Sequence, residues 1–275
     1  MKKILLILFS LSLLSLTTIS NAKSIRIGTE GAYPPWNNLN SAGELEGAEI
    51  DFGNEACARM GVDCEWVTQD WDGIIPALLQ GKYDIIIAGM SITEERKEKV
   101  NFTNGYMTDG ARFAVLKGSG LADLNIVSKV NLNNAGGKEQ AAIGQLIAAM
   151  DGATVCVQSS TIHQNFLEKH MSGAVKVKLY QAVDDHNLDL AAGRCDAILA
   201  DVGSIIDFME SDGGVDVAFT GPTFSGGVFG DGVGGAVRKE DTDIVDMWNK
   251  AIAEMSADGT TAEITKKWFG RDISM

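Results

Sequence analysis

The chain has 275 residues, 37 of them Asp or Glu and 23 Lys or Arg, for a formal net charge of −14 at pH 7. So acidic a protein does not hold nucleic acid through its phosphates, which takes a basic surface. The length suffices for a large core in one or two domains, and 3 histidines and 4 cysteines without a CxxC spacing argue against a zinc site.

Residues 1–22 read as a secretory signal peptide: basic Lys2 and Lys3, an apolar run at 4–16 broken only by Ser10, Ser12 and Ser15, and the small-x-small site Ser20-Asn21-Ala22. The run is shorter than the ~20 apolar residues a membrane span requires. Cleavage after Ala22 is expected, leaving an exported, soluble protein, and no cysteine stands at the cleavage site to carry a lipid.

A strand at 25–29 opens the exported part. The loop Glu30-Gly31-Ala32-Tyr33-Pro34-Pro35-Trp36 follows, where stiffening prolines would make a wall of the aromatics or leave them as core caps. A helix is expected at 52–60, a strand at 64–67, a helix at 74–80 after Asp70-Trp71-Asp72-Gly73, and a strand at 82–88 whose run Ile85-Ile86-Ile87-Ala88 suits burial on both faces. This β-α-β-α-β order predicts a parallel sheet with ligands at the strand C-terminal ends. Glu30, Trp36, Trp71 and the stretch 89–96 all follow strands, so they collect at one sheet edge.

Past the tight turn Gly89-Met90-Ser91, Thr93 suits a helix N-cap and Arg96 falls in the first turn. An arginine there can grip a carboxylate with two parallel hydrogen bonds, helped by free backbone N–H groups and the Ser91 hydroxyl. Solvated membership of the charged run 94–99 is the other reading.

The second half repeats the β-α theme. Strands are expected at 111–116, 154–157, 175–180, 197–201, 215–219 and 234–237. Helices are expected at 139–150, 162–170, 185–192, 242–255 and 260–268, with a weakly patterned stretch at 121–135. The turn Gln158-Ser159-Ser160-Thr161 opens one helix, and Asp201 ends a strand. Cys57 and Cys64 flank Gly61 and suit a staple between a helix end and the next strand. For Cys156 and Cys195, in apolar strand-like runs, a second bridge and buried free thiols both stay open.

Several motifs together carry a family resemblance. They are Gly47-Ala48-Glu49-Ile50-Asp51, Trp71-Asp72-Gly73-Ile74-Ile75-Pro76-Ala77-Leu78, Met90-Ser91-Ile92-Thr93 with Arg96, Gln158-Ser159-Ser160-Thr161, Asn187 through Ala197, and Asp258-Gly259-Thr260 through Phe269. The chain resembles the polar amino acid-binding proteins of bacterial ABC importers over its whole exported length, and among them the lysine/arginine/opine (octopine/nopaline) type. The resemblance implies an α/β fold of two lobes, each a mostly parallel sheet flanked by helices, joined by two crossing strands and closing like a hinge. Lobe one would be 23–112 plus 220–275, and lobe two 113–219.

The resemblance also implies roles. Arg96 would bind the ligand α-carboxylate, with Ser91 and Thr161 assisting. Asp201 would bind the α-ammonium, Trp36 and Trp71 would sandwich the side chain, and Glu30 would read its cationic end. Tyr33, Ala88, Gly89, Met90 and Ser159 would complete the site, and Cys57 would pair with Cys64. A periplasmic monomer without cofactor or metal is implied, partnered by a small amino acid ligand and an inner-membrane importer permease. The chain departs from the lysine/arginine pattern at Ala88 and Gly89, where a pair of serines is usual, and at Ile162, where glutamine is common. The lost hydroxyls leave room for a bulkier ligand such as an opine.

The same fold serves exported cyclohexadienyl (prephenate/arogenate) dehydratases, in which a pocket acid protonates a leaving hydroxyl. Here that acid would be Asp201, and an aspartate bonded to a cation is a poor proton donor. No Ser/His/Asp or Cys/His set is expected, because none of His163, His170 and His186 is expected to follow a strand C-terminus.

Overall fold

Two sheets divide the buried apolar residues between them. The computed structural model describes residues 24–134 and 136–275; the expected signal peptide lies outside these. In the first sheet the order is Asp63–Thr68, Ser24–Thr29, Ile85–Ile86, Ala236–Val237, Asn101–Phe102. Ser24–Thr29 runs parallel to both its neighbours, with Ile27 opposite Trp66 and Ile85. Ala236–Val237 is antiparallel. The helices Ala48–Met60, Thr242–Ala257 and Thr260–Phe269 accompany it, and Phe52, Trp248 and Ile27 lie fully buried in their common core.

The second sheet has the order Lys176–Tyr180, Thr154–Gln158, Ala197–Asp201, Ala111–Leu116, Val217–Ser225, Lys129–Asn131. Its first three strands are parallel; Ala111–Leu116 is antiparallel to both neighbours. Phe113, Phe166 and Phe224 centre its core. All these strands come from residues 111–225, whereas the first sheet takes strands from both sides of that stretch. The result is the expected α/β arrangement of two lobes with mostly parallel sheets, crossed by the chain twice.

Some boundaries differ from expectation for visible reasons. The run at 85–88 forms strand only over Ile85–Ile86. Ile87 still donates to the Gly28 carbonyl, but Gly89, at φ 61°, turns the chain out of the sheet. The helix expected from 52 begins at Ala48, with Glu49 and Asp51 in its first turn, where the helix dipole favours acids. The strand expected to end at 219 continues to Ser225, with a shift of register between Thr220 and Phe224. An unexpected helix, Val202–Glu210, follows Asp201 directly and buries Ile205 and Phe208. Among the described residues no helix is long and apolar enough to cross a membrane.

Cys57 and Cys64 are bridged, and so are Cys156 and Cys195, which settles the open pair as a disulfide. The second bridge spans 39 residues against 7 for the first. If each acts by closing a loop in the unfolded chain, the longer loop matters more. Replacing Cys156 and Cys195 by alanine should lower the urea unfolding free energy by about 4 kcal/mol, against about 2 kcal/mol for the Cys57/Cys64 pair. Equal losses, or the reverse order, would contradict that account.

Candidate functional site

The parallel strands of both lobes point their C-terminal ends at one cleft. From lobe one, the end of Ser24–Thr29 presents Glu30 and Tyr33, the 3-10 turn Trp71–Gly73 presents Trp71, and the turn after Ile85–Ile86 presents Ala88, Gly89 and Ser91. From lobe two, Thr154–Gln158 and the helix start after it present Gln158, Thr161, Ile162 and His163, and Ala197–Asp201 presents Asp201. With Arg96 these side chains line a cavity, partly open to solvent, whose free volume is about 320 Å³ with the solvent at its mouth included. Thr93 and Thr161 cap their helices by accepting the backbone N–H groups of Arg96 and Gln164.

Arg96 keeps part of its surface open to the cleft while protein surrounds its guanidinium. Burial holds its pKa down to about 10, against the attraction of Glu95 and Asp201. Nη1 donates to the Ser91 carbonyl at 3.0 Å, and the guanidinium lies 5.2 Å from the centre of the Trp71 ring. Among the described residues it forms no ion pair, so it is a desolvated cation with donors to spare.

Two buried acids share the cavity. Asp201, 9% exposed, accepts the Tyr33 hydroxyl on Oδ2 at 2.8 Å, and its Oδ1 lies 3.2 Å from His163 Nε2. Glu30, 8% exposed, accepts from Gln158 Nε2 at 2.6 Å. Burial pushes its pKa up to about 7; the Gln158 bond opposes this, and the charges of Asp70, Asp72 and Asp184 add to it. The two lobes therefore meet through Glu30–Gln158 and Tyr33–Asp201 inside the cavity. At its rim, Trp71 Nε1 donates to the Ser160 carbonyl, the Ser159 hydroxyl to Asp72 and Asn165 Nδ2 to Glu95.

Three of the expected site residues stand elsewhere. Trp36 is fully buried against Phe269, ring centres 4.9 Å apart and edge-on, so it does not form a second wall opposite Trp71. It borders an adjoining cavity of about 380 Å³ that shares Ser91, Ile162 and Asp201 with the first. Its loop folds back where Asn37–Leu39 pairs with Ala32–Tyr33, which carries the indole inward. Met90 is buried in the core beneath Trp71, and Ser159 is spent on Asp72 at the rim. Gln158 and His163 were missed. His163 follows its strand across the polar turn, and its place in the first turn of the helix was the available signal.

The family model for bacterial extracellular solute-binding proteins, family 3, matches residues 25–271. The L-arginine-binding protein of Pseudomonas aeruginosa is 38% identical over 276 residues, covering 99% of this chain and 98% of the relative. The octopine-binding periplasmic protein of Rhizobium meliloti is 38% identical over 271 residues, covering 92% of each. Among solved structures, a periplasmic His/Glu/Gln/Arg/opine family-binding protein from Silicibacter pomeroyi in complex with lysine is 34% identical, with a TM-score of 0.74 over 91% of this chain and 99% of that one.

The Glu30 shift has a stability consequence. Its pKa in the folded chain, about 7, lies above the ordinary 4.5, so between these values the folded protein holds a proton that the unfolded chain has released. The contribution is fully present below about pH 4.5 and is lost as pH rises through 7, up to about 3 kcal/mol. Without ligand, unfolding free energies in urea at pH 5 and pH 8 should fall more for the wild type than for Glu30→Gln. Parallel pH profiles would show that Glu30 titrates as a solvated acid.

Proposed function

The chain belongs to the bacterial extracellular solute-binding proteins, family 3, and from that premise we propose that it is a periplasmic receptor for an amino acid with a cationic side chain. Arginine, lysine, ornithine and octopine-type opines are the ligand class. It is a binding protein and not an enzyme, as are the named relatives. The observation that carries the ligand class is the cavity itself. A desolvated guanidinium with no counter-ion among the described residues, Arg96, shares it with two buried carboxylates, Asp201 and Glu30.

A zwitterion with a cationic tail meets those charges one for one. Its α-carboxylate takes the free donors of Arg96, with Ser91 and Thr161 beside them. Its α-ammonium goes to Asp201, and its side-chain cation to Glu30 along the face of Trp71. The stacking adds ~0.5–2 kcal/mol for a guanidinium. An acidic side chain would meet Glu30 with like charge, and a neutral one would leave a buried carboxylate unpaired. Ala88 and Gly89 add no hydroxyl to the wall, which supports a ligand as bulky as an opine.

Delivery to an ABC permease follows from the same proposal. Lobe one, 23–112 with 220–275, and lobe two, 113–219, would open and close about the two crossings. Closure would be completed by a ligand that touches Arg96 from one side and Asp201 from the other. The leader at 1–22 would export the chain and be cleaved after Ala22.

Calorimetry on the purified protein tests the reading. Arginine, lysine or octopine should bind, and glutamate should not; failure of all three cationic ligands would overturn it. Arg96→Ala should weaken every ligand alike by roughly 3–5 kcal/mol, because it strands the ligand carboxylate in a closed cleft. Glu30→Gln should weaken arginine or octopine by about 1–3 kcal/mol and glutamine less, the scale of a charged hydrogen bond. If both ligand classes bind Glu30→Gln as they bind the wild type, Glu30 does not read the cation.

A further inference from the structure

Behind the cavity lies an acid that the ligand cannot touch. Glu49 has no exposed surface and forms no ion pair among the described residues. It is held instead by neutral donors. The Gly89 N–H reaches Oε1 at 2.7 Å and Oε2 at 2.8 Å, the Tyr106 hydroxyl reaches Oε1 at 2.6 Å, and Asn37 Nδ2 reaches Oε2 at 2.8 Å. Asn37 in turn accepts the Gly31 N–H, next to Glu30. Burying a carboxylate without a cation is costly, and an apolar core would avoid it.

The Gly89 bond gives that carboxylate a route to the cavity. The one cis peptide among the described residues is Pro34–Pro35, so Ala88–Gly89 is trans. In a trans peptide the C=O and N–H point in opposite directions. With the Gly89 N–H aimed at Glu49, the Ala88 carbonyl is aimed away from it, and Ala88 and Gly89 both line the cavity. No hydrogen bond to that carbonyl is present among the described residues. The left-handed φ of Gly89, 61°, lets the chain leave this peptide at the required angle. A Cβ there would meet the Tyr33 ring at an ordinary 3.4 Å, so backbone geometry and not space asks for glycine.

We propose that Glu49 is a specificity-determining positioning residue: it orients and polarises the Ala88–Gly89 peptide, so that the Ala88 carbonyl presents a charge-backed acceptor to the cationic end of the ligand side chain. Hydrogen bonds in a chain strengthen one another where water is excluded. A carboxylate on the N–H raises the negative charge on the carbonyl oxygen of the same peptide. A cationic donor gains more from this than a neutral donor of the same shape. Glu49 thus acts with Glu30, one through a peptide and one directly.

The inference rests on the proposed cationic ligand, and arginine against citrulline tests it, since the guanidinium and the ureido group are nearly the same shape. Affinities come from calorimetry, with displacement for the weaker ligand. In Glu49→Gln, arginine should lose about 10-fold or more and citrulline less than about 3-fold, so that the preference collapses. Equal losses for both ligands would reduce Glu49 to a structural part and overturn the inference. If Glu49→Gln does not fold, Tyr106→Phe decides: it removes a neutral donor but keeps the carboxylate on Gly89, and should raise the arginine preference at least 2-fold. A preference unchanged or lowered in Tyr106→Phe overturns it too. A wild type that does not prefer arginine to citrulline would instead sink the cationic-ligand reading, and the two failures are therefore distinct.

Discussion

Keeping Arg96 charged within the protein costs solvation that no carboxylate among the described residues restores at contact distance. The nearest compensation is partial: the Ser91 carbonyl, the face of the Trp71 ring, and the more distant charges of Glu95 and Asp201. The remaining donors point to an anion supplied from outside, and the surrounding structure is consistent with holding one there. The helix cap at Thr93 fixes the backbone that carries the guanidinium, and the buried core under Met90 and Trp71 keeps the turn from relaxing. A surface arginine could rotate away and solvate itself. This one is held, so the cost of desolvation is met at folding and is not charged again when an anion arrives.

The acids opposite are arranged on the same principle but with different partners. Asp201 sits between Tyr33 from one lobe and His163 from its own, and Glu30 meets Gln158 from the other lobe. Each of these two cross-lobe bonds, Tyr33–Asp201 and Glu30–Gln158, is neutral-to-acid and not an ion pair. The lobes can therefore touch without a ligand, while each acid keeps lone pairs for a cation, since an ionised carboxylate accepts about four hydrogen bonds.

Much of this was legible in the sequence because it follows from chain order. Strand ends of a β-α-β sheet share one edge, so Glu30, Trp36, Trp71 and the stretch 89–96 fall together on chain order alone, whereas Thr161 and Asp201 join them only through the family resemblance. The wall at Trp36 was not legible. A proline-stiffened aromatic reads the same whether its loop faces the cleft or folds back, and the pairing of Ala32–Tyr33 with Asn37–Leu39 decides it. The Cys156–Cys195 bridge was undecided for a related reason: both cysteines lie in apolar strands, and only the register that brings Cys156 opposite Ile198 places them near each other. The helix Val202–Glu210 escaped because it starts at once after a strand: its N-cap position is Asp201, the strand's own last residue, whose side chain makes no capping bond. Glu49 was read only as part of a motif, since its partners Gly89 and Tyr106 are 40 and 57 residues away.

Selectivity in such a cleft comes from what a wrong ligand leaves unpaired more than from what the right one adds. Glu30–Gln158 and Tyr33–Asp201 are already made when the cleft is shut, so a ligand is judged against them and not against water. A cation entering beside Glu30 replaces or supplements a neutral amide donor with a charged one, a gain on the order of 1 kcal/mol more than a neutral hydrogen bond returns. A neutral side chain offers Glu30 nothing better than Gln158 does. It also leaves Glu30 a choice between holding its proton, which its raised pKa permits near pH 7, and staying charged without a partner. The protonated choice costs little near neutrality. If Glu30 reads the side-chain cation as proposed, discrimination against neutral ligands is weakest where Glu30 is protonated and grows as pH rises above its pKa, while rejection of acidic ligands, which rests on like charge, needs Glu30 ionised as well.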